Sequence, residues 1–335
     1  MAELRLQTSA GGRISKEAFS LATLRQSVAG QGLAWLDIVN PDEEIRNFLL
    51  DDCGFDELAV EDTSGHTANT VQKFDNHRFV VIKARDDDKN RLDTEPVAIF
   101  LQEKLMITVR HTKIPALKVF SKRLLRADAE DIEIGVDYLL YEILDSIADD
   151  WASRLANYSD ELDTLEFRVF DPSTRYENML EDLHLLKQRL REVSKSVESL
   201  HSACIRLLRP GERLVNEKSI THFTDLQNLV TTLVKRTNNY SLGANSTRDT
   251  YLTNANLKLA ESNKRLTEVM TTLAIIGAIM LPLTLIAGIF GMNTDLPFDA
   301  STRSGFWVIM SLMIAFGLSM IAYFWRRGWF REPGE

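Results

Sequence analysis

The sequence predicts an α+β protein: a polar, mixed α/β domain, then long helices, then two C-terminal membrane-spanning helices. Three observations predict it. Two uncharged apolar spans, Val269–Phe290 and Phe306–Trp325, each reach the ~20 residues an α-helix needs to cross about 30 Å of hydrocarbon. From about Val136 proline and glycine nearly vanish and apolar residues recur with the helical period. Before that point, short β-like apolar runs alternate with helix-start signals. The expected division is an α/β domain at 1–135, an acidic helical hairpin at 136–217, a stalk helix at 218–268, a first span at 269–291, a loop at 292–305, a second span at 306–325 and a basic tail at 326–335.

In the first part, Leu33–Val39 and Phe79–Ala84 read as strands. Val97–Leu101 and Leu105–Val109 read as two more, split by a turn at Gln102-Glu103-Lys104. Pro41–Asp51 reads as a helix because Asp42, Glu43 and Glu44 suit a helix N-terminus, and Leu58–Asp62 reads as a short one. Helices at about Val136–Phe170 and Ser173–Leu208, stopped at Asp171-Pro172 and Pro210-Gly211, make an antiparallel pair. The first is dense in acid: Asp145, Asp149, Asp150, Asp160, Glu161, Asp163 and Glu166. Such a face either solvates the domain or gathers cations, with Asp145, Asp149 and Asp150 as the metal-sensing candidates.

A third helical run opens at about Lys218 and meets no proline until Pro282; only Gly243 interrupts it, at a cost on the order of 1 kcal/mol. Continued to Gly291 it would be about 110 Å long. One domain cannot bury such a helix, so a parallel bundle about a symmetry axis is expected. Its inner face is expected to begin with Leu226, Leu229 and Leu233 and to continue with Tyr240, Asn245, Asn254, Asn256 and Asn263. Amides there suit a water-filled passage better than a dry core.

Net charge −9 and pI ≈ 5.3 argue against nucleic acid as a partner. Cys53 and Cys204 are far apart, which argues against a disulfide scaffold or structural zinc. The first residues carry no signal-peptide pattern. Lys258, Lys264, Arg265, Arg326, Arg327 and Arg331 flank the two spans, whereas the loop holds only Arg303. Both termini are therefore expected in the cytoplasm, with the loop outside and Trp307, Tyr323, Trp325 and Trp329 at the interfaces.

Within the first span a small or mildly polar stripe reads Thr267, Met270, Leu273 or Ala274, Gly277, Leu281, Thr284, Gly288. Ile275, Ile279, Leu283, Ile286 and Ile289 lie opposite. Small residues in membrane helices ordinarily serve close helix packing. Pro282, which leaves a carbonyl in need of a partner, suits a wet lumen instead. At the outer end of the span stand Gly291, Met292 and Asn293. A ring of asparagine oxygens can hold a hydrated divalent ion through its waters, and magnesium gives up those waters reluctantly.

The run Met280-Leu281-Pro282-Leu283-Thr284-Leu285-Ile286-Ala287-Gly288-Ile289-Phe290-Gly291-Met292-Asn293, with Glu268-Val269-Met270 before it and Trp325-Arg326-Arg327-Gly328-Trp329-Phe330 after it, resembles the CorA superfamily of divalent-cation channels and transporters. Trp35-Leu36-Asp37, Leu58-Ala59-Val60-Glu61-Asp62, Val71-Gln72-Lys73-Phe74 and the acidic hairpin resemble it more loosely. The resemblance implies a funnel-shaped homopentamer in a bacterial inner membrane, with one pore helix per subunit and a divalent cation (Mg2+ or Zn2+) as cargo; no cofactor is expected. It implies that Gly291, Met292 and Asn293 form the selectivity filter and that Thr267, Met270, Leu273, Gly277, Leu281, Thr284 and Gly288 line the pore, with Met270 and Leu273 in a hydrophobic gate. Asp295 and Asp299 in the outer loop are expected to attract cations.

Three departures bear on the ion. The loop reads Thr294-Asp295-Leu296-Pro297-Phe298-Asp299, without the Met-Pro-Glu-Leu common in magnesium members, Thr267 stands where asparagine is common there, and Asn256 stands near where a pore-lining aspartate can occur. These changes resemble the ZntB-like zinc branch. The rival class is a two-span membrane-anchored enzyme or sensor. Against it, the chain has no phosphate loop and no HExxH, and its six histidines show no i,i+4 pair.

Overall fold

The computed structural model describes residues 3–10, 13–17, 32–64, 70–86, 94–126, 133–170, 178–211, 214–292 and 303–329. The chain forms two compact units, Met1–Thr250 and Tyr251–Glu335.

The first unit is built on a seven-stranded sheet of β1 (Glu3–Ala10), β2 (Arg13–Glu17), β3 (Ala34–Val39), β4 (Thr70–Lys73), β5 (Arg78–Arg85), β6 (Thr94–Leu101) and β7 (Leu105–Arg110). Its order is β2-β1-β3-β7-β6-β5-β4, and β3 and β7 pair in parallel while every other pairing is antiparallel. All six positions of β3 and of β7 are buried, as expected for central strands covered on both faces. Against one face, Leu36 and Ile38 join Phe79, Phe100 and Ile107 in a core with Ile45, Phe48, Leu49, Ala59 and Val60. On the other, Trp35 meets Phe120 edge-to-face at 4.6 Å. This alternation follows from side chains pointing to opposite faces at successive strand positions.

The helix expected over Pro41–Asp51 is an α-turn, α1 (Glu43–Asn47), that widens into a π-turn, Phe48–Asp52. Asp42 caps it by accepting from the Ile45 N–H. The short second helix is α2 (Glu57–Glu61), capped by Asp56. Strands β1, β2 and β4 and helix α3 (Pro115–Leu124) add to the elements expected from sequence.

Helices α4 (Val136–Phe170) and α5 (Met179–Leu207) form the expected hairpin, with Arg189 pairing Glu161 at 2.9 Å. The stop expected at Asp171-Pro172 lies outside the described residues. A short 3-10 turn, Glu217–Ser219, leads into α6 (Ile220–Phe290), unbroken for 71 residues with Pro282 inside it. Helix α7 (Arg303–Arg326) overshoots the expected second span at both ends.

The leucine end of the expected axial face is corrected. Phe223, Leu226, Val230, Leu233, Thr237, Ala244 and Thr247 are buried within this one chain. At Gly243 α6 runs close to α4: a Cβ there would lie 3.1 Å from Leu162 Cδ2, and the Thr247 hydroxyl donates to Glu166 Oε1 at 3.0 Å. The glycine expected to be a mere interruption is a close-approach position.

Candidate functional site

In the second unit, the apolar parts of α6 and α7 have mean hydropathy of 2.5 and 2.0, and only 6% of each is buried. A soluble core helix would be mostly buried, so apolar helices left this bare need a non-aqueous surround. The C-terminal end of α7 fits an interface. Gly328, with φ +76°, turns the chain so that the Trp329 N–H donates to the Phe324 carbonyl at 3.1 Å, and Arg327 lies 5.6 Å over the Tyr323 ring.

The two faces of α6 are treated differently here. Ile275 is 7% exposed, and Ile279, Leu283 and Ile286 are half-buried. α7 comes up to this side: a Cβ on Gly317 would lie 3.9 Å from Leu283 Cδ1. At about 100° per residue the Thr267-to-Gly288 stripe lies on the opposite side. Thr267, Met270, Leu273, Leu281, Thr284 and Gly288 are exposed and Gly277 is half-buried, with Leu281 at 72%. The packing role that small residues ordinarily serve is thus not filled by α7. Asn256, Asn263, Met270, Gly277, Thr284 and Gly291 recur every seven residues, beside Leu252, Leu259, Leu266 and Leu273 at the same interval. Such a recurrence sets these residues along one face of the helix.

The polar groups on the stripe are prepared in a consistent way. The Thr284 hydroxyl donates to the Met280 carbonyl at 2.8 Å, and the Thr267 hydroxyl to that of Asn263 at 2.8 Å. Each proton is committed to the helix, so each oxygen turns lone pairs outward as an acceptor. Pro282 brings no N–H to the carbonyl of Ala278, one turn back. At the top, the Gly291 N–H closes on the Ala287 carbonyl at 2.9 Å and Met292 is exposed. Asn293, Asp295 and Asp299 lie outside the described residues.

The acidic helix α4 is neither bare nor simply solvated. The Arg123 guanidinium bridges Asp145 at 2.8 Å and Asp149 at 2.6 Å through different nitrogens. Arg85 holds Asp150 through two bonds of 2.8 and 3.0 Å. Burial, then the neighbouring Asp149 charge, push the Asp145 carboxyl above its usual range, and Arg123 only partly offsets them. Among the described residues no group of three or more His, Cys, Asp or Glu is placed to hold a metal. Sequence reasoning missed both arginines, because each comes from an element remote in the chain.

A family model described as "CorA-like Mg2+ transporter protein" matches residues 30–327. The chain is similar to the putative metal ion transporter YfjQ of Bacillus subtilis, at 26% identity over 88% of this chain and 89% of the relative. It is 27% identical to the cobalt/magnesium transport protein CorA of Thermotoga maritima over 82% of this chain and 77% of that one. Its fold matches the complete CorA magnesium transporter structure from Methanocaldococcus jannaschii, with a TM-score of 0.71, 22% identity and 98% of both chains covered. The cytoplasmic domain of ZntB from Vibrio parahaemolyticus matches with a TM-score of 0.61 at 12% identity, over 75% of this chain and 97% of that one. With its two bare apolar helices and a family model spanning nearly its whole length, the chain belongs to the CorA-like Mg2+ transporter family, whose members are membrane transporters of divalent cations.

Proposed function

We propose that five copies of this chain form a channel for hydrated divalent cations in a bacterial inner membrane, with Mg2+ as the principal ion. The observation that carries the reading is the uncovered stripe on α6: α7 takes the opposite side, and the stripe keeps acceptor oxygens and small residues free to surround an axis. The cobalt and magnesium named for relatives support the choice of ion. In this reading Gly291, Met292 and Asn293 form the outer filter, where the asparagine carbonyl accepts from the ion's waters. Asp295 and Asp299 raise the local cation concentration. Thr284 and Thr267 accept from the same waters lower down, and Met270 and Leu273 close the passage by dewetting. Both termini face the cytoplasm, following Lys258, Lys264, Arg265, Arg326 and Arg327. Any contribution of Asp145, Asp149 and Asp150 to metal sensing requires a cation to compete with Arg123 and Arg85.

The test is ion uptake by purified protein in liposomes, comparing Mg2+, Zn2+, Ni2+ and Co2+ with and without a pH gradient. Mg2+ uptake that needs no gradient is expected. Asn293→Ala is expected to abolish it while leaving the assembly intact by native mass spectrometry. Gradient-driven uptake of Zn2+ alone would assign the ZntB-like activity, and full transport by an assembled Asn293→Ala protein would remove the filter from this position.

A further inference from the structure

His77 occupies a place that neither the conduction stripe nor the acidic helix uses. It is 4% exposed and lies in the turn between β4 and β5, at the edge of a cleft of ≈ 360 Å³. Its ring stacks on Phe74 at 4.6 Å and tilts against Phe55 at 4.9 Å. Its tautomer is set by the surrounding chain. The Asn76 side-chain N–H donates to the Gly54 carbonyl at 2.6 Å, which fixes which end of that amide is oxygen. The oxygen, 2.6 Å from His77 Nδ1, therefore accepts from Nδ1–H. The other ring nitrogen, Nε2, is left as a bare acceptor, buried and without a hydrogen-bond partner.

Next along the chain stands Arg78. It pairs with Asp137 of α4 at 2.6 Å and donates to the Leu214 carbonyl. Asp137 accepts from the Asn216 N–H at 2.7 Å, and Asn216 in turn caps the 3-10 turn into α6 by accepting from the Ser219 N–H at 2.9 Å. A continuous run of polar contacts thus leads from the turn that holds His77 to the start of the long helix.

We propose that His77 is an acid-sensitive latch: protonation of Nε2 releases the β4–β5 turn and, through Arg78, Asp137 and Asn216, loosens the anchorage of the first turn of α6. The physical reason is that a proton on Nε2 creates a buried charged donor with no acceptor. The charged groups around the imidazole are Asp56 from the α2 cap, Lys73, Asp75 and Arg78 from its own turn, Glu103 from the β6–β7 turn and Asp137 from α4. Asp56 favours the proton, but burial outweighs it and the histidine is held below its ordinary value. A base whose folded value is depressed contributes stability above its unfolded value of ~6.5, and that contribution is lost as pH falls toward the folded value. Within that window the closed-to-open ratio falls by up to about tenfold per pH unit.

The latch rests on the channel reading only for its consequence, so its test reads conformation rather than flux. Hydrogen exchange of the full-length protein in detergent, corrected to equal chemical exchange, is compared at pH 7.5 and 5.0 for peptides covering 70–80 and 214–220. Wild type is expected to lose protection in both regions at pH 5.0. His77→Phe keeps the stacking but cannot titrate, and should lose the acid response. Asp56→Asn keeps a side-chain oxygen to cap α2 but removes the charge that favours the proton on the buried ring, and should move the loss to higher pH. An unresponsive wild type, an acid response in His77→Phe equal to wild type, or an unchanged midpoint in Asp56→Asn would each overturn the latch. Failed Mg2+ uptake in liposomes with this exchange pattern intact would overturn the channel reading alone.

Discussion

If the stripe on α6 borders water and the opposite side packs against α7, thiols introduced along the span should react with a water-soluble cationic methanethiosulfonate in a helical rhythm. The wild-type protein is a suitable background for that measurement. Both of its cysteines are buried, and burial pushes the Cys53 and Cys204 thiols up to about 12, with the Asp52 charge adding to the effect at Cys53. At pH 7.5 a thiol of ordinary pKa ~8.5 is roughly a tenth thiolate, whereas one near 12 is thiolate to about 3 parts in 100,000. The native thiols are therefore slower by about three orders of magnitude from ionisation alone, before steric shielding is counted.

Against that background, Leu281→Cys, Thr284→Cys and Gly288→Cys are expected to modify rapidly, with Mg2+ or Co2+ in excess slowing them by competition for the same passage. Ile279→Cys, Leu283→Cys and Ile286→Cys should be slow, because their surroundings are apolar and shared with α7. The assay is the second-order modification rate in proteoliposomes, followed by mass spectrometry of the intact chain. Rates that show no 3.6-residue rhythm, or Leu283→Cys outpacing Thr284→Cys, would refute the assignment of faces.

Leu273→Ser is expected to wet the constriction and raise basal uptake, since a dewetting gate depends on apolar side chains; unchanged uptake would place the gate elsewhere. In the first unit, Asp37→Ala should cost about 3–5 kcal/mol in chemical denaturation, because it strands the buried Arg110, now held by Asp37 at 2.7 and 3.0 Å. Asp37→Leu with Arg110→Met should recover most of that loss. Arg123→Ala should leave Asp145 and Asp149 uncompensated, so added Mg2+ is expected to raise its melting temperature more than that of wild type, where equal shifts would show that no cation takes the place of the guanidinium.

Much of the fold was legible because it is governed by local period and length. Helix α4 runs over Val136–Phe170 as its unbroken apolar rhythm requires, and the two apolar spans fall within α6 and α7. Strands β3, β5, β6 and β7 announce themselves as Val- and Ile-rich runs that central strands need on both faces. Strand β1 was not legible: Glu3–Ala10 is largely polar and is specified by pairing with β3, a contact across some thirty residues. Helix α3 carried a signal that could have found it, with proline at its first turn and Lys122 and Arg123 at its last. The acidic face was legible only in part. Sequence gives the spacing of Asp145, Asp149 and Asp150 along α4, but the arginines that neutralise them come from α3 and β5. For the same reason nothing local to His77 marks it: its tautomer is fixed by Asn76 only because Gly54, twenty-two residues before Asn76, brings its carbonyl there.

Helix α6 has to satisfy two different kinds of neighbour, and its sequence changes where the neighbour changes. Up to Thr247 the chain itself covers one side with Phe223, Leu226, Val230, Leu233 and Ala244 as the buried contacts. From Tyr251 to Ala274 no residue is buried by the chain, although Leu252, Leu257, Leu259 and Leu266 are all exposed. A helix of this kind draws little stability from propensity alone, because tertiary packing supplies most of what holds a helix in water. Polar residues dominate this stretch, so lipid cannot supply the packing; Asn256 and Asn263 would be left without partners in hydrocarbon. A soluble partner of unrelated shape would have to match a seven-residue recurrence over several turns. Parallel copies of the same helix match it by construction, since each leucine meets its own equivalent at the same height. At roughly 1.5–3 kcal/mol for each leucine removed from water, covering the three at seven-residue spacing, Leu252, Leu259 and Leu266, would contribute several kcal/mol per chain. In the proposed channel, ordering of this segment and assembly would then be one event, and the stripe left uncovered in one chain would form the wall of the passage.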